Sequence, residues 1–139
     1  MNSIILQLAA RYLKPVLLLF SIYVLLRGHN APGGGFIGGL LASSGILFYT
    51  FAHGADKGYL WYHRPKTLLV FGMVMILAGA TAAFATNNPL LTGLWTEVDI
   101  GITQIKLGTP LLFDIGIYFI VMSVLLGITL AILEELEWK

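Results

Sequence analysis

Arg27-Gly28-His29-Asn30-Ala31-Pro32-Gly33-Gly34-Gly35-Phe36-Ile37-Gly38-Gly39-Leu40 separates two long apolar runs and holds the densest cluster of glycines in the chain. Pro32 fixes its own φ and drives Ala31 out of the α region, so one helix must end before it. Gly33 to Gly35 allow positive φ or a very close backbone approach. Phe36 projects from this bare backbone as a plug or wedge would. Gly33, Gly35 and Gly38 also spell G-x-G-x-x-G, with Asp56 downstream. That fingerprint needs a preceding strand and a βαβ unit around it. Pro15 to Leu26 and Phe36 to Ala52 read instead as membrane helices, so the nucleotide reading fails. No Gly-Lys-Ser/Thr follows the glycines, which excludes a Walker-type phosphate loop.

The composition agrees with that decision. The 139 residues are 58% hydrophobic and 11% charged, with mean hydropathy +0.86, which places the chain among integral membrane proteins. A single membrane domain over residues 1–139 is expected, with no room for a separate catalytic domain. The net charge of +1 gives no support to a nucleic-acid partner. The absence of cysteine removes disulfides, thiolate metal sites and cysteine nucleophiles. No small-residue cleavage site follows the first apolar run, which therefore reads as a retained helix.

A bilayer core needs about twenty residues of helix to cross it. The first candidate covers about 4–26, with Arg11 and Lys14 snorkelling to one interface and Arg27 held at the other. Pro15 marks either a kink or the true start. The second covers about 34–53 and carries small residues four apart: Gly34, Gly38 and Ala42 on one edge, Gly35, Gly39 and Ser43 on the next. Such edges let helices meet at backbone distance in lipid, either inside this subunit or against a helix of another protein.

Gly54 to Gly58 form a polar link, followed by Tyr59, Trp61 and Tyr62 with His63, Arg64 and Lys66, the signature of a membrane interface. Neither His53 nor His63 has a second metal ligand at helical spacing, so both read as solvated interfacial residues. The third helix, about 67–86, again carries small residues, among them Gly72 and Gly79. Asn87-Asn88-Pro89 ends it. Val98, Ile100 and Ile102 then alternate with Glu97, Asp99 and Gly101, which reads as a short strand pair; an amphipathic loop is the alternative. The last helix covers about 110–133, with Pro110 in its first turn. Asp114 is either an acid favoured by the dipole of its own first turn or a carboxylate at the rim of a cation or proton pathway. Glu134, Glu135, Glu137 and Lys139 form a solvated tail.

The expected fold class is therefore all-α integral membrane: four transmembrane helices with a short strand-like extracytoplasmic segment between the third and fourth. Four spans put both termini on one side, together with Arg11, Lys14, Lys57, Arg64, Lys66 and Lys139, against Arg27 and Lys106 on the other. The positive-inside rule makes the terminal side cytoplasmic. No set of nucleophile, base or metal ligands converges at short spacing, so neither catalysis nor a bound cofactor is expected. No charge lies at the centre of a span to drive transport alone. What remains is a helical subunit that packs against others.

The segment R-G-H-x-x-P-G-G-G-F-x-G-G, Arg27 to Gly39, resembles the signature of the B subunit of the multisubunit cation/proton antiporters, the Mrp or Mnh family. Length, four-helix plan, the D-I-G-I segment Asp99 to Ile102 and the acidic C-terminus are similar as well. The resemblance implies a non-catalytic subunit, in a prokaryotic cell membrane, of an assembly exchanging Na+, or in some members potassium, for H+. Its partners would be the other hydrophobic subunits and the lipid bilayer, and the proton-conducting lysines and glutamates would lie in the larger subunits. Pro32 and Phe36 match positions that the family ties to cation transport. With Asp114 they are the transport candidates, while Gly34, Gly35, Gly38 and Gly39 are the helix-packing candidates. Related subunits in membrane-bound hydrogenase complexes, or a purely structural scaffold, are the alternatives.

Overall fold

The computed structural model describes residues 4–28, 33–54, 65–99 and 104–137. They form α1 (Ile4–Arg27), α2 (Gly35–His53), α3 (Pro65–Thr81) continued by a 3-10 turn (Ala82–Thr86), the strands β1 (Trp95–Asp99) and β2 (Gln104–Gly108), and α4 (Thr109–Glu137). Four of these helices are long and apolar enough to cross a membrane. Helices are the natural form for such runs, because the bilayer core offers no water to satisfy peptide groups.

Neighbouring helices are not simply successive ones. α1 packs on α2, α2 on α4, and α4 on α3, so the order in space is α1–α2–α4–α3. α2 and α4 run parallel, whereas the other two pairs are antiparallel. The core lies where α1, α2 and α4 meet, around Leu25, Ala42, Ile46, Tyr118, Met122 and Leu126. On the far side of α4, the rings of Phe71 and Phe119 meet edge to face with centroids 5.2 Å apart.

Several local expectations are refined. Pro15 lies inside α1, so it is not the start of that helix. The ammonium of Lys14 lies 4.3 Å from the centroid of the Tyr49 ring on α2. Tyr49 in turn stacks on His53, with centroids 4.2 Å apart. The last turn of the third span tightens to 3-10 geometry before Asn87, whose left-handed backbone (φ 57, ψ 25) closes the helix. The segment between α3 and α4 is an antiparallel hairpin, with Trp95 opposite Gly108 and Glu97 opposite Lys106, not a loop. α4 continues to Glu137 instead of ending at Leu133, so the acidic stretch is helical.

Candidate functional site

The site is built around the start of α2. Gly34 is its N-cap, at φ 98 and ψ −172, a backbone conformation that side chains other than glycine's resist. Its N–H donates to the carbonyl of Val24 on α1 at 3.1 Å, and the N–H of Gly28 donates to Leu25 at 3.3 Å. Gly28 and Gly34 are in backbone contact, and a Cβ on Gly33 would lie 2.7 Å from the Val24 carbonyl oxygen. The glycines thus permit α1 to end and α2 to begin almost on top of one another.

Both small-residue edges of α2 are occupied within the chain. A Cβ on Gly35 would overlap the backbone carbonyl oxygen of Asp114 on α4. One turn on, a Cβ on Gly39 would meet the Tyr118 carbonyl oxygen at 2.8 Å and Val121 Cβ at 2.9 Å. Gly38 faces α1 as well, where a Cβ would lie 3.0 Å from the Ser21 carbonyl oxygen. Gly45 continues that second edge against Leu17 and Lys14.

Asp114 sits at the junction of these contacts. Because α4 begins at Thr109, the acid lies beyond the first turn, and its own helix terminus does not account for it. Its Oδ2 lies 3.1 Å from where a Cβ of Gly34 would be, so the carboxylate rests against the N-terminus of α2 instead. That end of the neighbouring helix carries partial positive charge, the favourable pole for an acid.

Beside Asp114 a cavity of about 250 Å³ opens at the hairpin end, bounded also by Gly79, Leu91, Gly93, Thr109 and Phe113. The loop over it is tied down: Leu91 N–H donates to Ala80 at 3.1 Å, and Thr109 N–H donates to Leu94 at 3.0 Å. The Leu94 N–H returns a bond to Thr109 Oγ1 at 3.1 Å. Leu91 adopts φ 65 in this loop, an uncommon conformation for a bulky residue.

The sequence candidates therefore divide. Gly34, Gly35 and Asp114 come together, and Gly38 and Gly39 line the two seams leading away from them. Phe36 points outward and is 59% exposed, away from the chain's own core. Pro32 lies outside the described residues, as does His29. Among the described residues no three His, Asp or Glu side chains gather as metal ligands would.

Two features were not legible in the sequence. The fully buried Ser21 hydroxyl lies 3.0 Å from the Tyr118 hydroxyl, linking α1 to α4 across residues 97 apart. Gly116 on α4 faces Gly72 on α3, each within 2.7 Å of the other's carbonyl oxygen if given a Cβ. The signal for the second was present, since Gly116 stands alone among bulky neighbours.

Residues 5–127 match the family described as "Domain related to MnhB subunit of Na+/H+ antiporter". The chain belongs to this family. It is 36% identical over 138 residues to the Na(+)/H(+) antiporter B subunit of Bacillus subtilis, covering 96% of this chain and 95% of that protein. The corresponding B subunit of Alkalihalophilus pseudofirmus is 33% identical over 137 residues, with 96% and 94% covered. Among solved structures, the Mrp complex from Dietzia sp. DQ12-45-1b contains a similar fold, with TM-score 0.74 and 32% identity over 89% of this chain. The match takes up 13% of that longer chain. In this MnhB-type fold Gly34, Gly35 and Asp114 meet at one end of the α2–α4 seam.

Proposed function

We propose that this chain is a multi-pass, non-catalytic membrane subunit of a multisubunit Na+/H+ antiporter, acting with other hydrophobic subunits in a prokaryotic cell membrane. The observation that carries this reading is similarity along nearly the whole chain to proteins named as the B subunit of such antiporters. The architecture supports it. Large apolar side chains such as Leu19, Val74 and Leu77 are exposed on the outer helices, as they would be against lipid or neighbouring subunits. Among the described residues, no charged cluster at mid-span could drive exchange alone.

Within that subunit, Gly34, Gly35, Gly38 and Gly39 serve helix packing. Phe36 serves contact with a neighbour, and Asp114 belongs to the ion path. Pro32, with Phe36, serves cation transport. The termini face the cytoplasm and the hairpin faces outward, which cysteines at Gly58 and Thr103 test by labelling from opposite sides of the membrane.

The decisive experiment compares membrane vesicles holding the full set of subunits, the set without this chain, and the isolated chain in liposomes. Cation-dependent proton exchange is expected in the first and absent from the other two. Robust exchange by the isolated chain would overturn the subunit reading. So would copurification with iron–sulfur proteins in place of antiporter-like subunits.

A further inference from the structure

We propose that Lys14, held against the Tyr49 ring where α1 meets α2, forms with Arg11 a binding site for an anionic phospholipid, which it takes by the phosphate.

The site grows out of helix spacing. Gly45, Tyr49 and His53 stand four apart on α2 and so share one face. Gly45 lets α1 come close: a Cβ there would lie 3.1 Å from Leu17 Cβ and 3.4 Å from the Lys14 carbonyl oxygen. One turn further along α2, the Lys14 ammonium lies 4.3 Å from the Tyr49 ring centroid, within reach of the negative face of the ring. His53 fixes that ring. It stacks on Tyr49 with centroids 4.2 Å apart and planes inclined by 22°, and its Nδ1–H donates to the Tyr49 carbonyl at 3.2 Å. Arg11 is exposed and stands three residues before Lys14, on the same side of α1.

The ring contact leaves Lys14 incomplete. An ammonium carries three donors, and an aromatic face offers charge attraction but no lone pair. Among the described residues no carboxylate or other acceptor meets Lys14 or Arg11, and the Tyr49 hydroxyl has no partner. Unpaired charge in a bilayer is costly, so the acceptor has to come from outside the chain. Position identifies it. Lys14 lies about 20 Å along α1 from Arg27, and the hydrocarbon layer is about 30 Å thick. The ammonium is therefore across the layer from the glycine turn, just short of the boundary where lipid phosphates begin. Arg11 and His53, about 24 and 27 Å from that turn by the same rise, stand at the boundary itself. Two fixed positive charges between helices favour a lipid of net negative charge over one whose phosphate is balanced by its own amine.

The test uses the full-length chain in mild detergent, incubated with phosphatidylglycerol, with phosphatidylcholine of the same acyl chains, or with inorganic phosphate. Native mass spectrometry counts the molecules retained. Phosphatidylglycerol should be retained several-fold more than phosphatidylcholine. Lys14→Met, which keeps the stem and removes the charge, should bring it down to the phosphatidylcholine level, while Lys14→Arg should keep it. Lys66→Met removes an exposed charge at the start of α3 and should change nothing. Equal retention of the two lipids, undiminished retention in Lys14→Met, or an equal loss in Lys66→Met overturns the proposal. Displacement of phosphatidylglycerol by inorganic phosphate also overturns it, because the site would then belong to a soluble anion. Circular dichroism checks that each variant is folded. If Lys14→Met is not, Arg11→Met takes its place: a several-fold loss is expected, and undiminished retention sinks the site.

Discussion

α2 and α3 are apolar helices of similar length, 19 and 17 residues, and both carry glycines, yet they occupy different places. α2 has small residues on two edges and packs against two helices, α1 and α4. α3 has one edge, Gly72 and Gly79, and packs against α4. In water an apolar stripe shows which face of a helix is inside. In lipid that signal disappears, because the solvent is as apolar as the core. For these two helices the number of small-residue edges takes its place and matches the number of neighbours.

This contrast breaks if glycine position does not matter. Gly39→Leu should have the largest effect, since it places a branched side chain against the Tyr118 backbone. The chain should disappear from the membrane fraction on an immunoblot, with the complex lost on a native gel. Gly127→Leu is the control: a Cβ there meets nothing within 4 Å, and normal levels are expected. Equal loss from both substitutions would show that the seam is not what holds α2.

Next in size is a functional effect without a structural one. Phe36 is on the first turn of α2 but outside both edges, so Phe36→Ala should lower cation-dependent proton exchange while leaving the protein level intact. Loss of the chain itself would make the ring a packing residue. A smaller change is expected at Tyr118→Phe, which removes the hydroxyl partner of Ser21. Interhelical hydrogen bonds in membranes contribute about 0.6–1.7 kcal/mol, so stability measured by detergent titration should fall by that amount. Gly127→Ala should have the smallest effect and the opposite sign, raising stability by about 0.5–1 kcal/mol through reduced backbone freedom in the unfolded chain.

The four spans were legible because twenty-residue apolar runs have few other structures open to them. The edges of α2 were legible for the reason just given. The placing of α4 between α2 and α3 was not: its single informative residue, Gly116, has no small partner four residues away on its own helix. The start of α4 was legible to within one residue through Pro110, but the N-terminus of α2 that Asp114 rests against was not, because it belongs to another helix. The partner of Lys14 was not legible, because the Tyr49 ring that receives it is on another helix. Alternation around Val98 pointed to strands, but a strand pair and an amphipathic loop differ in pairing, which a single chain's pattern does not record.

The length of α4 has a consequence for where its chemistry happens. Its 29 residues, at about 1.5 Å each, extend about 43 Å, whereas the hydrocarbon layer is about 30 Å thick. The acidic residues Glu134, Glu135 and Glu137 resist being drawn into that layer, and the hairpin is fastened to the other end through Thr109. The helix is thus stopped at both ends like a rod between two collars. Asp114 is five residues from the upper collar, about 7.5 Å along the axis. Its depth below the membrane surface is therefore tied to both collars, so that a change in the length of α4 would be resisted by the close contacts that Gly35, Gly39 and Gly72 make along it.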